Sequence, residues 1–503
     1  MKRTYQYNCM VIIIFLLGSS CKKYIEVPPP ANFISSGNVF ISDQTAISVL
    51  TGLYSDMGTG INNAGCFAGS YGLSVILGLS ADELTSYDAP GEKFAAYYTN
   101  ALADPGYGSE YWPPFYNFVF RCNAAIEGLN DAAAGGLTPS IRKQLQGEAR
   151  FMRAFFYFYL VNLYGELPMA LTSDYKVNTV LRRSAQTKVY QQIIDDLKEA
   201  KDLLSTDYLD ITLLKTSTER VRPTQWAARA LLARAYLYAG DFANAELEAS
   251  AIINNTALYN LPELNMVFLK NSQEAIWQVQ PTTPFFNTED ARTFVIPATG
   301  PTNVDNPVHL SKSLLDSFET GDQRKKIGNW VGEIEVLGVT YYYPYKYKDN
   351  LYNSYITGTD ATAFMTEYQM VLRLGEQYLI RAEARIRQGK ITEGVEDINS
   401  LRLRATDLSL PDGDPDRLPA LSTSLSSSAA LTALYHERQV ELFAEWGHRW
   451  FDLKRIGNID AVMSIITPLK SNGIGGWHSY QQLFPLPQSD LEKAPNLNQN
   501  PGY

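Results

Sequence analysis

Apolar positions recur along this chain at helical spacing. In TKVYQQIIDDLKEAKDLL, Val189, Ile193, Leu197, Ala200 and Leu204 fall on one face, which predicts an amphipathic helix. The stretch QLQGEARFMRAFFYFYLVNLYGELP, residues 144–168, opens amphipathically and turns apolar on every side from Ala154 to Val161. A helix of that kind has to be buried all round, and Gly165 followed by Pro168 ends it. The most regular piece is RPTQWAARALLARAYLYAGDFANAELEASAIIN. There Thr224 is placed to cap a helix whose seam is Ala228, Leu231, Leu232, Ala235 and Tyr236, and Ala245, Ala249 and Ile252 point inward from a second helix. Small residues at the crossing and a Gly240-Asp241 turn match the tetratricopeptide helix-turn-helix plan. The plan recurs in LRLGEQYLIRAEARIRQGKITEGVEDINSLRLRA, with its turn at Gly389-Lys390. The chain therefore reads as mainly α, a tetratricopeptide-like scaffold of helical hairpins. The repeats fall at about 141–204, 224–254, 371–404 and 430–456.

Two stretches break this rhythm. Residues 85–111 and about 258–368 are rich in Pro, Gly, Asn and aromatics, with short alternating runs such as EAIWQVQP and EIEVLGVTYYY. They predict long loop-rich insertions with a few short strands. Ordered loops of that length on a rigid scaffold tend to carry function.

The start of the chain has a different pattern. Lys2 and Arg3 precede the apolar run MVIIIFLLG, which ends at Gly-Ser-Ser-Cys. The run is too short for a membrane span, which takes about 20 apolar residues, and it has the layout of a secretory signal. It resembles a bacterial lipoprotein signal over residues 1–20, in which Cys21 becomes the acylated first residue of the mature chain. The alternative is plain secretion with Cys21 an ordinary cysteine. The Pro-rich segment 21–33 reads as a semi-rigid tether, and residues 34–503 as the folded domain.

Composition narrows the function. The formal charge is −10, and −10 − 2 = −12 once Lys2 and Arg3 leave with the signal. An acidic chain without clustered Lys and Arg argues against nucleic acid as a partner. Beyond Cys9 and Cys21 only Cys66 and Cys122 remain, too few for a disulfide-stapled fold. They either pair in an oxidising compartment or sit as buried thiols. Tyrosine is in excess, 32 residues against 22 Phe and 7 Trp, which suits both packing between helices and contact with flat, polar-rimmed ligands.

Several stretches together resemble the SusD/RagB family of outer-membrane nutrient-binding lipoproteins. They are GEARFMRAFFYFYLVNLYGELP, ERQVELFAEWGHRWFDLKRIG and FPLPQSDLEKAPNLNQNPGY, supported by SADEL, WPPFYNFVFRCNAAIEGL, ETGDQRKK and both repeat copies, in order along nearly the whole mature chain. The resemblance implies a helical scaffold holding a loop-built binding face. It also implies surface exposure on the outer membrane, docking on a TonB-dependent transporter of the SusC-like kind, and capture of glycans, or in some members peptides, for import. A glycosidase and a pure protein-protein scaffold are the rival classes.

Candidate chemistry is sparse. Glu437, Glu441 and Glu445 stand at successive i, i+4 positions. Like charges at that spacing repel, so the stripe calls for basic partners, with Arg402, Arg404 and Arg449 as candidates. It reads as a structural ion-pair network rather than a catalytic one. His436-Glu437 lacks the second histidine of a zinc signature. No Gly-x-Ser-x-Gly, P-loop or dinucleotide fingerprint occurs, so neither metal nor cofactor is expected.

For binding, aromatic platforms edged with polar groups suit sugars. The candidates are Tyr87, Tyr97, Tyr98 and Tyr107 in the first insertion and Phe285, Phe286 and Trp330 in the second. The resemblance places ligand loops in these two insertions. Trp330 ranks first, since it follows the polar GDQRKKIGN and sits in no regular apolar pattern. The dense run YYYPYKYKDNLYNSY ranks lower, because its Lys346-Tyr347 resembles a family core strand. Asp82 and Glu83 are assigned to helix ends or the rim.

Overall fold

The computed structural model describes residues 36–59, 67–102, 106–131, 136–358, 360–473 and 475–503. Cys21, the tether and Cys66 lie outside them. Cys122 is buried, and that burial pushes its thiol up to about 12.

The scaffold is a stack of antiparallel helices. Helices α1 (Trp112–Asn130), α2 (Pro139–Tyr164), α3 (Gln186–Leu203), α4 (Gln225–Ala239), α5 (Phe242–Ile253), α6 (Leu374–Arg387), α7 (Ile391–Arg404) and α8 (Ser427–Glu441) pack in chain order, each on its predecessor. In α2, every residue from Phe151 to Tyr164 is buried, as an apolar run of that length requires. The hairpin turns use glycine in the left-handed region, where a side chain is costly: Gly240 has φ +78° and Gly389 φ +83°. Asp241 then accepts a hydrogen bond from the backbone N–H of Asn244 and so starts α5. Thr224 stands at the cap position of α4 but makes no side-chain cap bond.

Helix α5 packs directly against α6 although about 120 residues separate them in sequence. The second insertion thus leaves the stack and returns to the same place. Strands close its base: β4 (Ala275–Val279) pairs antiparallel with β8 (Gln369–Arg373), Val279 opposite Gln369 and Ala275 opposite Arg373, and both strands are fully buried. Within the insertion, β6 (Val331–Val336) and β7 (Val339–Pro344) form a hairpin turned by Leu337 and Gly338, both at positive φ, the backbone of the tight primed turns. The first insertion is more ordered than its composition predicts. Its β1 (Leu84–Ser86) pairs with β5 (Val308–Leu310), joining the two insertions, and residues 93–98 form a short helix with Phe94, Ala95, Ala96 and Tyr97 buried. A minimal pair, β2 (Leu167–Pro168) with β3 (Arg183–Ser184), lies between α2 and α3.

Ion pairs buried at the base of the second insertion lock it to the repeats. Arg324 reaches Glu437 (2.6 Å) and Glu441 (2.9 Å), and Asp322 at 2.8 Å fills its remaining face. Arg373 bonds Glu274 (2.7 Å), Glu441 (2.7 Å) and Glu445 (2.8 Å). Arg404 binds Glu274 and Glu441, Lys346 binds Glu445, and Arg402 stands 3.3 Å from Glu437. Five cations thus meet five carboxylates. The groups approach so closely that a Cβ on Gly375 would lie 2.4 Å from Arg373 Nη1 and 2.7 Å from Glu274 Oε1.

Arg449 corrects one expectation. It takes no part in this network and instead forms a bidentate pair with Asp82, both bonds 2.7 Å. It stands on the helix of residues 448–455, separated from α8 by a turn with Ala444, Trp446 and Gly447 at positive φ, and reaches Asp82 just before β1. Asp82 and Glu83 are accordingly buried rather than on a rim.

Two stability tests follow. Burial pushes Glu441 upward, but Arg404, Arg373 and Arg324 together hold it well below the ordinary carboxylate value. Its contribution is therefore present above pH about 4.3 and fades as pH falls toward the depressed folded value. Glu441→Ala strands three guanidinium groups and should cost about 3–5 kcal/mol, read as a lower melting temperature; an unchanged melting temperature contradicts the structural role. Glu83 has the opposite sign, since burial, reinforced by Asp82, raises it to about 8. The folded chain then holds a proton that the unfolded chain releases, so stability falls as pH rises from about 4.3 toward 8. Glu83→Gln should melt nearly level with the parent at pH 4 and higher at pH 8; parallel melting curves across that range refute it.

Candidate ligand-binding site

A platform of aromatic rings forms where the second insertion crosses its own base. Phe285 sits at φ +73°, a conformation that costs a bulky residue on the order of 1–3 kcal/mol. Two backbone hydrogen bonds hold it there, one from Phe285 N to Ile356 O (2.6 Å) and one from Asn353 N to Phe285 O (2.8 Å). The strain aims its ring at Tyr352, with centroids 5.0 Å apart and planes 26° from parallel. Phe286 meets Tyr352 edge-on at 5.9 Å, and the Arg292 guanidinium lies 4.3 Å from the Phe286 ring. Tyr352 remains 63% exposed and Tyr355, stacked on Phe364 at 5.2 Å, 67%.

A polar layer fixes the platform from beneath. The buried Asn287 donates to Asp349 (2.7 Å) and accepts from the backbone N–H groups of Thr366 (2.8 Å) and Glu367 (3.1 Å). Glu367 accepts from the Lys348 N–H at 2.7 Å, and burial raises its carboxyl to about 7. Asp290, raised to about 6 by burial, accepts from Gly69 N (2.9 Å) and Gln369 Nε2 (2.7 Å). Beside the rings lies a pocket of about 260 Å³ lined by Ser70, Phe286, Glu289, Arg292, Asp305 and Asn350 among others. The combination offers apolar ring faces edged by hydroxyl, amide, carboxylate and guanidinium groups, the complement of a sugar ring. Glu289 is engaged by Arg292 (2.9 Å) and Thr283 (2.5 Å), which makes it a positioning group. Among the described residues no group of three or more His, Cys, Asp or Glu side chains is placed to hold a metal.

The sequence candidates divide. Phe285 and Phe286 come together on the platform. Tyr87, 46% exposed, meets Tyr341 edge-on at 6.3 Å, and Tyr341 meets His309. Tyr98 and Tyr107 line a separate cleft of about 740 Å³ between the first insertion and residues 467–503.

Two candidates are corrected. Trp330 is wholly buried: its indole N–H donates to Leu264 O (2.9 Å), its edge packs on Phe268, and Lys346 and Arg404 lie 4.7 and 5.4 Å from its ring. It covers the ion network, where a π-face stabilises desolvated cations, and no ligand can reach it. Tyr97 is also fully buried, its hydroxyl accepting from Gly108 N at 2.7 Å.

The sequence reading ranked the run holding Tyr352 and Tyr355 too low and did not single out Phe364 or Arg292. The signal lay in YYYPYKYKDNLYNSY, which the fold divides. Lys346 and Tyr347 enter the core, whereas Tyr352 and Tyr355 emerge five and eight residues after Tyr347. Two other clefts, about 650 and 800 Å³, lie along α7 and have no aromatic ring in their walls.

Comparison with known proteins agrees with this architecture. A model described as the SusD family matches residues 338–503. Another, described as starch-binding and associating with the outer membrane, matches residues 81–237. A SusD-like protein, P2, of Formosa agariphila is 25% identical over the full length of both chains. A SusD superfamily protein of Bacteroides vulgatus superposes with a TM-score of 0.72 at 20% identity, over 92% of this chain and 99% of that one. A laminarin-binding SusD-like protein superposes at 0.68 and 22% identity, over 91% and 99%.

Proposed function

The chain belongs to the SusD/RagB family, and we propose that it captures an oligosaccharide on the Phe285–Phe286–Tyr352 platform and passes it, without chemistry, to a TonB-dependent transporter of the outer membrane. The observation that carries this reading is the strained, stacked and exposed ring cluster with polar groups at its edge. Rings left open to water on ordered loops meet either a neighbour or a ligand, and here backbone hydrogen bonds to Ile356 and from Asn353 hold Phe285 in its strained conformation beneath the open Tyr352 ring. The laminarin-binding relative of the same fold supports a glycan as the ligand class.

Membrane attachment rests on Cys21. Among the described residues no helix is long and apolar enough to cross a membrane. A lipid at Cys21 holds the protein at the outer membrane, facing the exterior, with the segment 21–33 as spacer. One acyl chain binds a membrane only marginally, whereas two or more hold firmly.

A glycan array followed by calorimetry tests the platform. Stacking on a sugar is worth on the order of 1–2 kcal/mol, so Tyr352→Ala should weaken binding about tenfold without altering the melting temperature. Phe285→Gly should keep or raise the melting temperature, because glycine adopts φ +73° freely, and still lose affinity. Parent-like affinity in both variants places recognition elsewhere. For the anchor, Cys21→Ala should release the protein from the outer-membrane fraction; continued sedimentation with palmitate labelling refutes it.

A further inference from the structure

The cleft between the first insertion and the C-terminal segment shares no lining residue with the platform pocket. At about 740 Å³ it falls in the range of small-ligand clefts, roughly 300–1,000 Å³. Tyr98 and Tyr107 form one wall. His478 and Tyr480, stacked at 5.8 Å and 12°, form the other with Tyr503, which meets Tyr480 edge-on at 5.1 Å.

Two buried polar side chains, Asn100 and Thr467, also line the cleft. Asn100 donates to Ser80 O (3.1 Å), but its Oδ1 and the Thr467 hydroxyl have no protein partner. Buried polar atoms left this way are costly and call for a partner, water or ligand.

The charged side chains on the wall are already engaged. Asp88 accepts from Phe94 N (3.0 Å). Lys470 caps the helix of residues 73–80, donating to Leu79 O at 2.6 Å and to Ala81 O, and rests 4.9 Å from the Tyr98 ring, fixing it as part of the wall. What faces the space is ring faces, hydroxyls and amides, with the Asp88 carboxylate at the edge and the Lys470 donors spent on backbone carbonyls. That chemistry fits an uncharged, hydroxylated ring and offers nothing to a carboxylate or sulfate.

We propose that this cleft is a second sugar site, which takes a neutral pyranose unit of the oligosaccharide independently of the platform. The ligand class rests on the glycan reading given above, while the location does not depend on where the platform binds.

The test uses the full-length protein and a Phe286→Ala/Tyr352→Ala platform variant. Saturation-transfer NMR and calorimetry are run against laminaritetraose, cellotetraose, xylotetraose and tetragalacturonate. The platform variant should still receive saturation transfer to at least one neutral tetrasaccharide and none to tetragalacturonate. Tyr98→Ala should abolish that residual signal. So should Ala101→Arg, which fills the cleft from an exposed lining position without removing a packing contact. In the parent background either change should weaken binding about threefold to tenfold. A parent that binds while the platform variant does not, a residual signal indifferent to both cleft changes, or equal transfer to tetragalacturonate overturns the second site alone. A parent that binds no saccharide overturns it together with the glycan reading.

Discussion

The charges buried beneath the second insertion fix its position. Removing carboxylates and guanidinium groups from water costs several kcal/mol per ion and is recovered only when each finds its partners in good geometry. Here Glu274 comes from the residue before β4, Arg373 from β8, Arg404 from α7, Glu441 from α8, and Arg324 and Lys346 from the insertion itself. No two of those elements can shift without stranding a charge. The constraint is one of specificity more than of net stability: an apolar base would tolerate slippage, whereas this one has a single satisfied arrangement.

That rigidity reaches the surface. The strand pair β4–β8 continues outward into the layer of Asn287, Asp290 and Glu367, whose hydrogen bonds tie residues 287–290 to the return segment 347–369. Phe285 follows as the next link, held in a left-handed conformation by Ile356 and Asn353. A platform on unsupported loops would collapse its rings inward to escape water. This one cannot, because the backbone that carries it is already committed below. Recognition by pre-placed rings lowers the ordering cost of binding, which suits a protein that captures and then releases its ligand.

The local part of this structure was legible in the sequence. Helical hairpins follow from apolar residues three and four apart and from glycine at turns that need positive φ, as at Gly240 and Gly389. The internal pairing of Glu437 and Glu441 was legible too, since carboxylates four apart on one helix demand cations; Glu445 joins them from the turn that follows α8 and not from the same helix. Both are short-range requirements that any fold must satisfy.

Which aromatic residue faces water was decided only by the tertiary structure. Trp330 and Tyr352 lie in equally irregular, polar surroundings along the chain, yet Leu264, Phe268 and Lys346 cover the first, whereas the second, touched by Phe285 and Phe286, keeps most of its surface open. Arg449 likewise found Asp82, 367 residues away, in place of the glutamates on the neighbouring helix. In loops no periodicity ties a position to a face, so exposure is set by segments distant in sequence. The sequence alone determined the scaffold and its need for internal charge pairing; long-range packing determined where a ligand can be met.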